Sequence, residues 1–206
     1  MRAEKLLLAV GRKPMTDGCG LEKSKAKLER GFVHAGPTME TAEKGLYAIG
    51  DIVAGLPQLA HAAMMEGIVA VTTIAGKPTQ PIRKDRIPNA TYCEPQIGSI
   101  GLTEKQARDA GYSVKVGKFP FVGNSKATIL NNHGGFIKVV SEEKYGEVLG
   151  IHIIGPLATE ILAEAAAVLN LEGTIDDMMN MVHAHPTVWE AMGDAFASVR
   201  GLQINV

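Results

Sequence analysis

A chain of 206 residues is long enough for one large domain or two small ones, and its 46% hydrophobic and 21% charged residues are typical of globular proteins. The formal net charge of −1 excludes the basic field with which proteins hold nucleic acid or anionic membranes. A brief apolar run at residues 6–10 is too short to span a membrane and lacks a cleavage-site pattern. Because Cys19 and Cys93 share no paired spacing, we expect a soluble, cytoplasmic protein with reduced cysteines.

The first part of the chain predicts a partial α/β segment. A helix is predicted over residues 58–75, which are rich in alanine, methionine and valine and are followed by Gly76. The proline-containing stretch 76–88 predicts a linker, which divides the chain into domains at residues 1–80 and 81–206. The predicted strands of the first domain are residues 6–10, 32–34 and 46–49, the last of them buried.

Residues 81–206 predict an α+β domain, an antiparallel sheet with helices on one side. A capping box that begins at Thr103 opens a helix ending at Gly111. Residues 156–171 carry one apolar helical stripe, and a last helix is predicted over residues 187–199. Since the stripe has no obvious cover in the sequence, we expect this domain to dimerise. The predicted strands are residues 89–93, 97–102, 112–119, 135–141 and 148–154, and the last two form a hairpin.

The most specific local signal is the segment HAHPTVWE at residues 183–190. His185 precedes a proline, which favours an extended backbone outside the following helix, so Glu190 on the first helical turn can reach back to the imidazole. A carboxylate bound to one ring nitrogen fixes the tautomer and raises the basicity of the other nitrogen, which makes a general base for a thiol.

Two other interpretations of this segment stay open. TVWE is itself a capping box, so Glu190 can serve as a helix cap. His183 and His185 can also bind a metal, although no cysteine or acidic residue stands at ligand spacing. Spacing alone ranks the cap first, the acid–base pair second and the metal third.

A second candidate site follows the predicted strand at residues 46–49. Ligands of open α/β sheets bind at the carboxyl ends of the strands, where Gly50 would allow close approach and Asp51 would accept hydrogen bonds from sugar or ribityl hydroxyls. The helix after Pro57 offers free N–H groups and a partial positive charge to a phosphate or an electron-rich ring. A Gly-Asp pair alone is an ordinary turn, so its meaning depends on the neighbouring motifs.

Together these motifs resemble the pyridine nucleotide–disulfide oxidoreductases, in family order along nearly the whole chain. VGRKP at residues 10–14 is similar to the segment that closes the NAD-binding domain. YAIGD at residues 47–51, followed by LAHAA at 59–63, resembles the second flavin-binding motif. HAHPT with Glu190 is most similar to the dihydrolipoamide dehydrogenases within the family. The segments that resemble the dimerisation domain are EPQIGSIGLTE at 94–104, GNSKA at 123–127 and HIIGP at 152–156.

The resemblance implies an FAD- and NAD-dependent homodimer that reoxidises protein-bound dihydrolipoamide and serves the lipoyl domain of a 2-oxoacid dehydrogenase or glycine cleavage complex. It implies that His185 is the acid–base for the dithiol in the site of the opposite subunit, and that Glu190 is its partner. The cofactor-binding residues that it implies are Gly50, Asp51, Leu59, Ala60 and His61 for flavin and Gly11 for NAD.

The Gly-rich fingerprints and the Cys-x4-Cys pair of this family are absent from the sequence. We therefore expect the chain to correspond to the C-terminal portion of such an enzyme and not to transfer electrons alone. Two alternatives remain. One is another disulfide reductase, similar to glutathione or mercuric reductase, and the other is a non-catalytic dimerisation or flavin-binding module.

Overall fold

The computed structural model of the chain describes residues 3–205 and divides into two units, one ending at Lys84 and the next beginning at Asp85. In the first unit a short hairpin pairs β1, Leu28–Glu29, with β2, Phe32–Val33. Val33 is buried with Ala26, Ala48 and Val53 in a small apolar cluster. Helix α1, Ala60–Ile74, packs through Val69 and Ala70 on Met39. The 3-10 helices of this unit include Leu21–Lys23 and Gly50–Ile52.

Two strand predictions for the first unit are wrong. Residues 6–10 form no strand, and Leu6 and Leu7 are almost fully exposed. Residues 46–49 make a single antiparallel bridge, between Tyr47 and Glu40, before the chain turns into the Gly50–Ile52 helix. A strand requires a neighbouring strand for its backbone hydrogen bonds, and the described residues provide none for these segments beyond that bridge. The predictions at residues 32–34 and 58–75 are confirmed as β2 and α1.

The second unit is built on a five-stranded antiparallel sheet, in the order β3-β4-β7-β6-β5. Each predicted strand is confirmed, and both of its ends lie within two residues of their predicted positions. The predicted hairpin is the β6–β7 pair. The predicted α+β class with an antiparallel sheet and flanking helices is therefore confirmed. The strands are β3, Asn89–Thr91; β4, Gln96–Gly101; β5, Val114–Pro120; β6, Phe136–Glu142; and β7, Val148–Gly155.

Helices lie on both faces of this sheet. Ile137, Val139, Ile151 and Ile153 alternate to one face and are buried in a cluster with apolar side chains of α4 and α6. On the other face, Ala107 of α2 packs against Val140, so the prediction of helices on one side is wrong for α2. The helices are α2, Glu104–Asp109; α3, Ser125–Ile129; α4, Ala158–Asn170; α5, Ile175–Met179; and α6, Glu190–Ser198.

The sequence predictions for the helices are confirmed in part. The capping box at Thr103 is present, with both of its hydrogen bonds. The apolar stripe of α4, including Ile161 and Ala165, is buried against the sheet of its own unit, so the expectation that it needs a partner for cover is wrong. The last helix begins at Glu190, three residues after the predicted start. None of the described helices is long and apolar enough to cross a membrane.

Candidate functional site

The imidazole of His185 is bound by the carboxylate of Glu190. The His185 Nδ1 lies 2.9 Å from the Glu190 Oε1. The side chain of His185 is 70% exposed, whereas that of Glu190 is 24% exposed and belongs to the first residue of α6. The peptide bond between His185 and Pro186 is cis. The helix therefore fixes the carboxylate, and the carboxylate holds a ring that stays open to solvent.

The second oxygen of Glu190 caps the start of the same helix. Its Oε2 accepts a hydrogen bond from the Thr187 N–H at 2.8 Å. The Thr187 hydroxyl donates to the Ala184 carbonyl at 2.7 Å, so the capping box is formed on one side. One carboxylate thus makes the capping contact with Thr187 and the contact with the His185 ring at the same time. Burial alone would raise the pKa of Glu190, but the hydrogen bonds from Thr187 and His185 and the adjacent imidazoles outweigh it and lower the pKa.

This geometry determines the proton positions on the His185 ring. A carboxylate is an acceptor only, so the Nδ1 that faces Glu190 carries the proton in the neutral imidazole. The Nε2 is then the basic nitrogen, and it has no hydrogen-bond partner among the described residues. A ring of this kind can remove a proton from a thiol and return it.

The neighbouring His183 binds a different carboxylate. Its Nε2 lies 3.0 Å from the Glu164 Oε1 on α4, and the two side chains are 9% and 15% exposed. The hydrogen bond to Glu164 raises the pKa of His183, against the effect of burial, and the negative charges of Glu164 and Glu190 add to this. Among residues 3–205 no group of three histidine, cysteine or acidic side chains is placed to hold a metal ion.

Sequence reasoning missed two residues that hold this segment, Glu164 and Asn124. Glu164 lies in α4, three residues after Ile161 and four before Val168, which are both buried. A carboxylate in an apolar stripe was the available signal, because such a group must find a partner. The Asn124 amide donates to the Thr187 carbonyl at 3.1 Å across 63 residues of sequence, for which no local pattern exists.

In the first unit, the candidate residues Gly50 and Asp51 form the start of a 3-10 turn. Gly50 has a φ of 78°, a conformation that residues with a Cβ rarely adopt. Its N–H donates to the Glu66 Oε2 at 2.5 Å, and Glu66 lies on α1 with no exposed surface. Burial raises the pKa of Glu66, the Gly50 hydrogen bond opposes this, and the charge of Asp51 adds to it.

The Asp51 carboxylate is exposed and paired with Arg12. The Arg12 guanidinium lies 3.2 Å from the Asp51 Oδ2 and also donates to the Gln58 carbonyl. Helix α1 begins two residues after Gln58, at Ala60, and its N-cap residue Leu59 provides no side-chain hydrogen bond. The structure therefore brings Asp51 and the residues before α1 together through Arg12.

The other sequence-predicted cofactor residues differ in their surroundings. Ala60 and His61 are exposed at the first turn of α1. Gly11 is exposed, and a Cβ at its position would meet no atom within 4 Å. The roles assigned to these residues stay predictions. Both cysteines, Cys19 and Cys93, are free and exposed.

Comparisons with known proteins agree with this architecture. The dimerisation domain of the pyridine nucleotide-disulphide oxidoreductases matches residues 87–196, which is more than half of the chain, and the pyridine nucleotide-disulphide oxidoreductase domain matches residues 1–67. The chain belongs to the pyridine nucleotide-disulphide oxidoreductase family. The resemblance found in the sequence motifs is thereby confirmed.

The curated relatives that match the chain include dihydrolipoyl dehydrogenases. A dihydrolipoyl dehydrogenase of Thermus scotoductus is 43% identical over 204 residues, covering 98% of this chain and 44% of the relative. A dihydrolipoyl dehydrogenase of Bacillus subtilis is 38% identical over 203 residues, covering 98% of this chain and 43% of the relative. The chain therefore spans less than half the length of the curated relatives that it matches.

Solved structures show the same fold. LpdA of Mycobacterium tuberculosis aligns with a TM-score of 0.86 and 25% identity, over 92% of this chain and 41% of that one. The HOCl-induced flavoprotein disulfide reductase RclA of Escherichia coli aligns with a TM-score of 0.82 and 22% identity, over 92% of this chain and 44% of that one. The likeness to RclA concerns the fold alone.

Proposed function

We propose that this chain supplies the acid–base and dimerisation parts of an FAD- and NAD-dependent enzyme that oxidises protein-bound dihydrolipoamide to lipoamide. The observation that carries the proposal is the 2.9 Å contact between the His185 Nδ1 and the Glu190 carboxylate, with the opposite ring nitrogen open to solvent. The identity to dihydrolipoyl dehydrogenases over nearly the whole chain supports the same substrate.

His185 and Glu190 have separate tasks in this proposal. Oxidation of the dithiol forms one S–S bond and releases two protons and two electrons. The His185 Nε2 accepts a thiol proton, so that the thiolate is available to react. The Glu190 carboxylate stabilises the imidazolium that results and keeps the Nδ1 proton in place. A cysteine pair and then the cofactors would take up the two electrons, and His185 and Glu190 handle only the protons.

We also propose that residues of the first unit bind part of a flavin. We assign Asp51 to the ribityl hydroxyls, Gly50 to close approach of its backbone, and the backbone of Leu59, Ala60 and His61 to the isoalloxazine. The exposed Asp51 carboxylate and the lack of a side-chain cap on α1 support this assignment. Gly11, which is exposed and at which a Cβ would meet no atom within 4 Å, is assigned to NAD. When bound, the flavin supplies two-electron transfer between the thiols and NAD.

We further propose how the two parts of the chain are organised in the enzyme. Residues 1–80 are a remnant of the nucleotide-binding domains, and residues 81–206 are an interface domain through which the protein forms a homodimer. In that dimer His185 serves the site of the opposite subunit. The partner is the lipoyl domain of a 2-oxoacid dehydrogenase or glycine cleavage complex, in the cytoplasm. The match to a dimerisation domain and the free, exposed cysteines support these assignments.

The test is a chimera in which the N-terminal portion of the Thermus scotoductus dihydrolipoyl dehydrogenase precedes this chain. The chimera should bind FAD and reduce NAD with dihydrolipoamide. The His185→Gln variant should lose about 10²- to 10⁴-fold in that rate, the usual contribution of a general base. Electron transfer from NADH to the flavin should survive, because it does not use this base, and it controls for folding.

Two outcomes contradict the proposal. A His185→Gln chimera that oxidises dihydrolipoamide at the unmodified rate removes the acid–base role. A chimera that binds FAD and passes electrons from NADH to glutathione disulfide, but does not oxidise dihydrolipoamide, assigns the chain to a reductase with a different thiol substrate.

A further inference from the structure

We propose that Glu164 and His183 act as positioning residues, which anchor the segment before α6 to α4 and thereby hold His185 against Glu190. This inference rests on the proposed function, since it concerns the same imidazole. Neither residue was assigned a role by the sequence motifs beyond the alternative of a metal site at His183.

The segment needs an anchor because its own backbone provides none. No backbone–backbone hydrogen bond joins residues 182–186 to any other part of the chain within the described range 3–205. The segment also lies outside helices and strands, since α5 ends at Met179 and α6 begins at Glu190. Its order therefore depends on side chains.

The His183–Glu164 pair is the most enclosed of these side-chain contacts. Its nitrogen and oxygen atoms are 3.0 Å apart, and both side chains are more than four-fifths buried. Glu164 is carried by α4, whose stripe is packed in the main core. A partly buried charged hydrogen bond is stronger than an exposed one, and the side chain of His185 is 70% exposed.

The ring of His183 is also enclosed from the side of α6. A Cβ at Gly193 would lie 3.3 Å from the His183 Nδ1, so the glycine leaves the space that the ring occupies. Glu190, one turn earlier on α6, contributes to the raised pKa of His183. His183 thus lies between the helix that carries Glu164 and the helix that carries Glu190, two residues from His185.

The consequence for His185 concerns its tautomer. While the anchor is intact, the Nδ1 of His185 faces Glu190 and carries the proton. If the anchor is removed, the exposed ring is free to rotate away from Glu190, and the neutral imidazole becomes a mixture of both tautomers. A general loss of stability that left the His183–Glu164 contact in place would not change the ratio of the two His185 tautomers.

The test is long-range proton–nitrogen NMR of the histidine rings in the full 206-residue chain. The unmodified chain should show the Nδ1–H tautomer at His185. Glu164→Ala should convert His185 to a mixture of tautomers. Glu164→Gln keeps an oxygen that accepts from His183, so it should retain the Nδ1–H form of His185 while the titration of His183 moves to lower pH.

Matched variants separate the anchor from general effects on charge and folding. Glu160→Gln makes the same charge change on the exposed side of α4 and should alter neither ring. His183→Gln keeps a donor for Glu164 and should preserve the His185 tautomer, whereas His183→Ala should not. A folded Glu164→Ala or His183→Ala chain in which His185 keeps the pure Nδ1–H form overturns the proposal.

A kinetic measurement distinguishes this inference from the proposed function. In the chimera, Glu164→Ala should slow dihydrolipoamide oxidation by about 10-fold or more, because small displacements of a catalytic group are costly. Glu164→Gln should restore most of that rate. If His185→Gln leaves the rate unchanged, the proposed function fails while the tautomer measurement still decides the anchor. If His185 keeps the pure Nδ1–H tautomer in Glu164→Ala, but His185→Gln abolishes dihydrolipoamide oxidation, only the anchor proposal fails.

Discussion

The side chain of Asn124 joins two distant segments through Thr187. Its Nδ2 donates to the Thr187 carbonyl at 3.1 Å, and its Oδ1 accepts from the Ala127 N–H at 2.8 Å. Asn124 is 5% exposed, so the amide that makes both bonds is largely shielded from water. The N-cap of α3 and the segment before α6 are therefore held by one amide.

Asn124→Ala should destabilise the second unit by about 1–3 kcal/mol, because buried groups on both sides lose their partners. Asn124→Ser can still cap α3 but cannot reach Thr187, so its stability should be intermediate. Urea unfolding followed by the fluorescence of Trp189, the single tryptophan, measures both. A serine variant as stable as the unmodified chain would show that the bond to Thr187 contributes nothing.

The pKa values of His152 and His183 should be displaced in opposite directions. Burial lowers the pKa of His152, the hydrogen bond to the Leu102 carbonyl opposes this, and the charge of Lys138 adds to it. Burial does not prevail at His183, where the bond to Glu164 raises the pKa. NMR titration should therefore find His183 protonated at a higher pH than His152, and the reverse order would contradict the geometry.

The two histidines also make opposite contributions to pH stability. The pKa of histidine in the unfolded chain is about 6.5. The stabilisation from His183 is complete below that pH and is lost as the pH rises through its higher folded pKa. The stabilisation linked to neutral His152 is complete above that pH and is lost as the pH falls through its lower folded pKa. Glu164→Gln should remove the first dependence and leave the second.

Glu66 should control the turn that carries Asp51. The Gly50 N–H donates to the Glu66 carboxylate at 2.5 Å, so hydrogen exchange of the Gly50 amide reports directly on this contact. Glu66→Gln keeps an acceptor and should preserve protection, whereas Glu66→Ala should abolish it. Because the folded pKa of Glu66 is raised, its stabilisation is present at low pH and is lost as the pH rises through that value. Equal protection in both variants would mean that the contact does not hold the turn.

The chain should form a dimer in solution. The match of residues 87–196 to a dimerisation domain is the basis for this expectation. Sedimentation velocity at micromolar concentration should show a dimer, and a monomer throughout a dilution series would contradict it.

Local patterns predicted the parts of the fold that local chemistry determines. The capping box at Thr103 and the stripe of α4 depend on residues close in sequence, and both are present. The pairing of His185 with Glu190 spans five residues, so it also lay within reach of sequence reasoning. The strand predicted at residues 6–10 was wrong because an apolar run forms a strand only where a neighbouring strand completes its hydrogen bonds.

The contacts that position His185 could not be predicted in the same way. Glu164 and His183 are 19 residues apart and Asn124 and Thr187 are 63 apart, so tertiary packing alone brings them together. The start of α6 was misplaced for a related reason. The Thr187 hydroxyl donates to the Ala184 carbonyl and is not the cap of α6, which begins at Glu190.

The central claim is that the Glu190 carboxylate supports His185 as the base for a dithiol, beyond its service as a helix cap. The most direct measurement is the rate at which dihydrolipoamide reduces the flavin of the anaerobic chimera, compared between the unmodified protein and Glu190→Gln. The glutamine oxygen can still accept from the Thr187 N–H, so the cap stays, but the charge that stabilises the imidazolium is gone. We expect the Glu190→Gln rate to be at least about 10-fold lower, with the NADH reaction unchanged. An unchanged rate of flavin reduction by dihydrolipoamide would contradict it and leave Glu190 as a cap alone.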